Sequence, residues 1–303
     1  MAQAKAIQTK IKTVSNIKKV TSAMEMIARV KMKKAIDGVL SVRPYAFYAS
    51  ELLANLSQDQ ILDSAFLRPG KGSKLLLVVI GADKGLCGAY NANVGRSLKQ
   101  FEEDLNVKRL SGLEVIAIGK KAAQEAQRYK IPVLKEFSEL SDNPKAKDVD
   151  EVAHMVREQF LSGQYRRVHI LYTDYVSSFS QQVRSRVLLP IVSEEIYSLL
   201  KEASFEEEKE EKLSGAALAR YILEPDPAAI FDSVVPRLID IMILHALLES
   251  RASEESMRMF AMKNASESAQ DLQDDLTRVF NRARQASITQ EIAEIAAGAE
   301  ALR

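Results

Sequence analysis

The sequence predicts an α/β protein of elongated layout: a long antiparallel coiled coil of N- and C-terminal helices with an inserted, mostly parallel α/β domain. Three observations predict it. Apolar residues recur at coiled-coil spacing from Ile7 for about fifty residues, against roughly 11–12 for an average globular helix. The same spacing returns at the other end of the chain. Between them, short apolar runs leading into glycine alternate with helical patterns, the signature of strand–helix–strand units.

In the N-terminal segment, Ile17, Val20, Met24 and Ile27 follow the three-then-four spacing of a seam. A shifted frame takes over at Met32, Ala35, Val39, Val42, Ala46, Ala49, Leu53 and Leu56, and the offset reads as a stutter that locally unwinds a supercoil. Gly38 and Pro44 interrupt the pattern. Proline inside a helix costs about 3 kcal/mol, so a bend or irregular turn is expected near Arg43.

The middle of the chain supplies the strands. "KLLLVVIG" (74–81), "LEVIAIG" (113–119), "KIPVL" (130–134) and "RRVHILYTD" (166–174) are the buried-strand runs. Helical patterns lie between them at 91–105, 120–129 and 149–161. "SSFSQQVRSRVLLPI" (177–191) alternates polar residues with Val183 and Val187, as an antiparallel edge strand does. In the next stretch, residues 194–214, eight glutamates meet three lysines, which reads as a solvated linker.

At the far end Ala265, Ala269, Leu272, Leu276, Val279, Ala283 and Ala286 repeat at four-then-three intervals. Asp226 is placed to cap this helix and Pro227 to take its first position. Some seventy helical residues would be roughly 100 Å long. No single-domain core is that wide, so the two terminal helices are expected to pair with each other; two ordinary amphipathic helices in a bundle are the other arrangement the pattern allows. The expected segments are a coiled-coil helix at 1–58, an α/β domain at 73–193, a charged linker at 194–220 and a second coiled-coil helix at 221–303. The last stretch, "NRARQASITQEIAEIAAGAEALR" (281–303), is rich in alanine with Ile288, Ile292 and Ile295 as its main bulk. It is too thin to anchor to a core as surface helices do.

Charge separates the ends while leaving the total near neutral. Lys and Arg number 42 against 41 Asp and Glu, which gives no argument for nucleic acid or a membrane surface. Residues 1–43 carry ten basic side chains against two acidic, and residues 237–303 carry eight against eleven, as expected of segments lying side by side. A single cysteine, Cys87, excludes an internal disulfide and fits a reducing compartment. The N-terminus lacks a secretory apolar core, and "LIDIMILHALL" (238–248) is too short to span a bilayer. A soluble protein is expected.

The sequence offers fragments of chemical motifs and completes none of them. "GADKGLCGAYN" (81–91) has the strand–glycine–helix layout of phosphate loops, but neither it nor "GKGSK" (70–74) nor "IGKKA" (118–122) has the Gly-x-x-x-x-Gly-Lys-Ser/Thr or Gly-x-Gly-x-x-Gly spacing. A tight turn needing backbone room is the alternative. Cys87 near a helix start has the setting of a nucleophile, yet His154, His169 and His245 share no motif with it and lack metal-ligand spacing. Asp174, near a strand end, is a metal ligand or a turn cap. No catalytic residue, cofactor or metal site is expected.

Four stretches then carry a resemblance. "IKTVSNIKKVTSAMEMIARVKMKKA" (11–35), "GADKGLCGAYN" (81–91), "EPDP" (224–227) and "RARQASITQEIAEIAAGAEAL" (282–302) resemble the gamma subunit of F-type ATP synthases. That family is the central rotor shaft of a rotary motor, and the resemblance implies a non-catalytic role. It would couple proton flow through a c-ring to conformational cycling of alpha and beta subunits that make or hydrolyse ATP. The implied partners are the alpha and beta subunits, the epsilon subunit and the c-ring, without membrane insertion. The implied location is peripheral, on the cytoplasmic face of a bacterial inner membrane or its equivalent.

The resemblance also implies site residues. Arg284 and Gln285, assisted by Arg282, match a pair that hydrogen-bonds an acidic catch loop of a beta subunit. Met24 faces the beta-subunit lever. Tyr221 and Glu224 lie toward the c-ring. The single cysteine departs from chloroplast relatives, whose redox control uses a cysteine pair. An α/β enzyme with dimerising terminal helices stands as the alternative.

Overall fold

The computed structural model describes residues 2–58, 64–107, 112–191 and 227–300. They form a helix α1 (Ala2–Gln58), strand β1 (Lys74–Ile80), α2 (Tyr90–Val107), β2 (Leu113–Ile118), α3 (Lys120–Arg128), β3 (Val133–Phe137), α4 (Ala146–Leu161), the hairpin β4 (Tyr165–Ser177) and β5 (Ser180–Leu189), and α5 (Pro227–Glu300). The long terminal helices around a mostly parallel sheet are the expected fold class. The chain divides into two compact units, residues 30–257 and residues 1–29 with 258–303. The expected linker at 194–220, the cap Asp226, and both Tyr221 and Glu224 lie outside the described residues.

Residues 30–257 hold the sheet, in strand order β3-β2-β1-β4-β5. β1 pairs in parallel with β2 and β4, β2 in parallel with β3, and β5 runs antiparallel on the edge beside β4. The inner strands read as unbroken apolar runs because both faces are covered. On one face Leu75, Leu77 and Val79 pack with Tyr90, Val94 and Leu98 of α2 and Ala122, Ala123 and Ala126 of α3. On the other, Leu76, Val78 and Ile80 pack with Val149, Val152 and Val156 of α4 and with Leu238, Ile239 and Ile243 of α5. Each buried Val, Leu or Ile side chain among these contributes about 1.5–3 kcal/mol by leaving water.

Two expectations are corrected here. The third strand is residues 133–137, not 130–134: Lys130 turns the chain at φ 59°, and Pro132, which has no N–H, offers only its carbonyl to Val115 N at 2.9 Å. Next, α1 runs through Pro44 without a break in helical assignment, so the irregular turn near Arg43 does not form. Gly38 has a packing reason, since a Cβ there would lie 2.9 Å from Leu248 Cδ2 on α5.

A charged contact bolts three parallel strands at their starting ends. Lys74 Nζ on β1 lies 2.6 Å from Glu114 Oε1 on β2, and Tyr165 Oη at the start of β4 donates to Glu114 Oε2. Burial acts to raise the Glu114 pKa, but these two hydrogen bonds outweigh it and hold the carboxyl below its ordinary value of 4.5. A depressed carboxyl pKa gives stability that is present above the unfolded value and is lost as pH falls through the folded one. Glu114→Gln is therefore expected to destabilise the chain by about 1–2 kcal/mol at pH 7. The gap from wild type should close in urea titrations below about pH 4, and a gap that holds constant with pH would refute the assignment.

Residues 1–29 pair with 258–303, and the seam between them differs from the expected one. The positions covered on α1 are Ile7, Ile11, Val14, Lys18, Thr21, Glu25 and Ala28. They step by four and three without interruption, and the steps continue through Met32, Ala35, Val39 and Val42, so there is no stutter. Of the expected seam residues Ile17, Val20, Met24 and Ile27, only Met24 is half-buried, and the other three are 50 %, 59 % and 55 % exposed. On α5 the covered positions are Met259, Met262, Ser266, Ala269, Gln273, Leu276, Phe280, Ala283 and Ser287. Leu272 and Val279 stand half-exposed one residue aside. Lys18 Nζ donates to Gln270 Oε1 across the pair. Polar groups at core positions of a coiled coil fix register at a cost in stability.

Candidate functional site

The loop after β1 is closed to phosphate by its own hydrogen bonds. Ala82 N donates to Asn91 Oδ1 at 3.1 Å, and the first N–H of α3, at Lys120, donates to Asp83 Oδ1 at 3.1 Å. The other Asp83 oxygen accepts from Glu139 N at 3.1 Å. A carboxylate thus occupies the place an anion would take at that helix start. The glycines answer to close packing: a Cβ on Gly81 would lie 2.9 Å from Ala122 N. The turn reading holds and the phosphate reading fails.

The remaining chemical candidates dissolve in the same way. Cys87 is buried, its Sγ accepting from Asn91 Nδ2 at 3.2 Å. His154 lies beside Glu158 on α4, His169 packs edge-on against Phe101 with ring centroids 5.2 Å apart, and His245 lies 3.7 Å from Glu249 within α5. Asp174 pairs with Arg184 Nε at 2.9 Å across the β4–β5 ladder. Among the described residues no three His, Cys, Asp or Glu converge as a metal site would require.

What remains is surface on the helix pair. Arg282, Arg284 and Gln285 are all exposed on α5, and the Gln285 carbonyl accepts from Thr289 Oγ1 at 2.9 Å. Two guanidinium groups and an amide are therefore presented to solvent on a rigid helix. Met24 is half-buried on α1, adjoining the exposed Ile17, Val20 and Ile27. A shallow groove of about 310 Å³ lined by Thr13, Asn16, Ile17, Val20 and Thr21 lies along this stripe. Farther along α5, Ile288, Ile292 and Ile295 are exposed as well. The structure brings Arg282, Arg284 and Gln285 together on one short stretch and sets Met24 apart from them on the other helix.

A buried polar patch on α5 escaped sequence reasoning. Ser250, Ser253, Glu254, Glu255 and Ser256 are all buried, although their run of polar letters reads as a solvated face. Arg251 lies 2.9 Å from Glu254 and 3.6 Å from Asp83. Burial acts to lower the Arg251 pKa, and the Glu254, Tyr90 and Asp83 neighbours outweigh it, so the guanidinium stays charged. Burial, with the Glu254 carboxylate behind it, pushes the Tyr90 hydroxyl far above its usual range. The one signal available beforehand was that these polar residues follow an apolar stretch without any helix breaker.

Comparison with known proteins identifies the family. A family model described as ATP synthase matches residues 3–302. The ATP synthase gamma chain of Synechococcus elongatus is 38 % identical over 315 residues, covering 100 % of this chain and 99 % of that one. The ATP synthase gamma chain of Chlorobium phaeobacteroides is 35 % identical over 307 residues, with the same two coverages. A chain of the Euglena gracilis mitochondrial ATP synthase rotor superposes with a TM-score of 0.62 at 19 % identity, over 95 % of this chain and 99 % of that one, a likeness of fold. With a family model over residues 3–302 and full-length relatives at 35–38 % identity, the chain belongs to the ATP synthase gamma-chain family, whose members are non-catalytic subunits of that complex.

Proposed function

We infer that the chain works as the central shaft of a rotary ATP synthase, its partners being the alpha and beta subunits of the catalytic hexamer, the epsilon subunit and the c-ring. One observation carries the reading: several large apolar residues of the helix pair face outward, while polar residues such as Lys18, Thr21, Glu25 and Gln273 take places in the seam between the helices. A pair built only for its own stability would bury Ile17, Val20, Ile27 and Leu272. Left outside on a slender rod, they suit a sleeve of partner subunits. The rod acts by making unequal contacts with the surrounding subunits, so each catalytic site adopts a different conformation as it turns. Solved structures described as ATP synthase central stalk with c-ring, and as rotor, support this set of partners.

Within that reading Arg284 and Gln285, with Arg282, grip an acidic loop of a beta subunit, and Met24 rides on a second acidic segment. Tyr221 and Glu224 lie toward the c-ring. The segments 1–58, 73–193, 194–220 and 221–303 serve as shaft, body, linker and shaft. No helix among the described residues is long and apolar enough to cross a membrane, which accords with peripheral attachment through partners on the cytoplasmic face of a bacterial membrane.

The double variant Arg284→Ala/Gln285→Ala should lower ATPase turnover of the reconstituted complex about 10-fold, as losing one charged hydrogen bond to a partner does. The isolated chain should melt as wild type, since these side chains are exposed. Unchanged turnover would remove the catch assignment. Failure of the wild-type chain to copurify with two larger nucleotide-binding subunits would remove the shaft reading itself.

A further inference from the structure

In an open α/β sheet, ligands sit beyond the carboxyl ends of the strands, where the chain switches direction across the sheet. Here that point lies between β1 and β4. From β1 the chain steps outward through α2 to β2 and through α3 to β3, then returns by α4 to β4 on the other side. The groups at this crevice are Asp83, just past β1, and Thr173 and Ser178, toward and just past the end of β4. All three are engaged by one stretch of α5.

The contacts are directional. Thr173 N donates to Ser250 Oγ at 3.1 Å, and Ser253 Oγ donates to the Thr173 carbonyl at 3.3 Å. Ser256 Oγ donates to the Ser178 carbonyl at 2.8 Å and accepts from Gln181 Nε2 at 3.4 Å. Arg251 reaches Asp83 at 3.6 Å. Two turns and more toward the N-terminus of α5, Arg157 of α4 donates to the Pro236 carbonyl at 3.2 Å and pairs with Asp240.

An apolar groove holds a helix without fixing its rotation about its own axis, because apolar contact is non-directional. Hydrogen bonds have narrow angular ranges and do fix it. We propose that residues Ser250–Ser256 of α5 form a torque key: they fill the α/β body's ligand crevice and lock the azimuth of the helix against that body. Arg251 and its Asp83 socket are positioning residues for coupling. The inference deepens the shaft reading and rests on it, since torque received by the body must leave through the helix.

The test uses complete ATP synthase reconstituted in liposomes, measuring ATP hydrolysis and protons pumped per ATP. Arg251→Met is expected to keep at least half the hydrolysis rate while pumping per ATP falls about threefold, with Arg251→Lys restoring most of the ratio. A merely structural loss would lower both rates in proportion and leave the ratio at the wild-type value, and that result overturns the key. Should Arg251→Met fail to assemble, Ser253→Ala/Ser256→Ala decides: a drop of the ratio by about half supports the key and an unchanged ratio overturns it. Absence of pumping with the wild-type chain present would sink the shaft reading, which separates the two failures.

Discussion

Replacing Gly119 by alanine is expected to destabilise the chain by about 3 kcal/mol or more, placing it among the severe single substitutions. Two independent strains add at this residue. Its φ of +95° lies where side chains are rarely tolerated, and an added Cβ would fall 2.2 Å from the Gly81 carbonyl oxygen. Neither neighbour can give way. Gly81 N donates to the Ile118 carbonyl at 2.8 Å, Gly119 N to the Phe137 carbonyl at 2.7 Å, and the Gly119 carbonyl accepts Ala122 N at 3.1 Å. Any shift therefore propagates into β1, β2, β3 and α3 together.

Two other glycines calibrate the measurement. Gly163 has a positive φ of 79° but open space around its missing Cβ, so Gly163→Ala should cost only the backbone term, about 1–2 kcal/mol. Gly85 has open space too and no such φ, so Gly85→Ala should stay within about 0.5 kcal/mol. Urea unfolding of the three variants is expected to rank them in that order. Equal losses at 119 and 163 would mean that the β1 and β2 ends do not approach as closely as described.

How much of this was legible in the letters depends on what surrounds each segment. "KLLLVVI" and "LEVIAI" announced themselves because strands covered on both faces need apolar residues at every position. The edge strand β5 was readable from the polar residues interleaved with Val183 and Val187, although at its end both Leu188 and Leu189 are buried. By contrast β3, "VLKEF", is buried only at Phe137 and carries no such run, which let the more apolar "KIPVL" stand in its place. The Ser250–Ser256 patch was hidden for a different reason: its partners, Asp83, Thr173 and Ser178, lie more than seventy residues away in sequence. The exposed Arg284 and Gln285 entered through family resemblance, not spacing.

The seam supplies the sharpest comparison, because adjacent residues must respond oppositely. Ala28 is 1 % exposed, whereas Ile27 beside it looks outward. Ala28→Asp places a carboxylate against the partner helix, and an unpaired buried charge at that position should cost about 3 kcal/mol or more. Ile27→Asp replaces a half-exposed side chain and should move the isolated chain's stability by less than about 1 kcal/mol. In the assembled complex the order is expected to reverse in significance: Ile27→Asp should impair assembly or turnover if that stripe is, as proposed above, the face that meets partner subunits. The helical signal followed through thermal unfolding separates the cases. Had the chain buried its bulkiest residues, Ile27→Asp would be the destructive change and Ala28→Asp the mild one. On α5 the matching pair is Gln273 and Leu272, where Gln273→Leu should stabilise the helix pair and Leu272→Gln should leave it unchanged. A shaft that works among other subunits turns several large apolar side chains outward, and polar residues such as Lys18, Thr21, Glu25, Ser266 and Gln273 share its own seam with Ile11, Val14, Leu276 and Phe280. Stability was thereby traded for a surface, and the two variant pairs measure that trade directly.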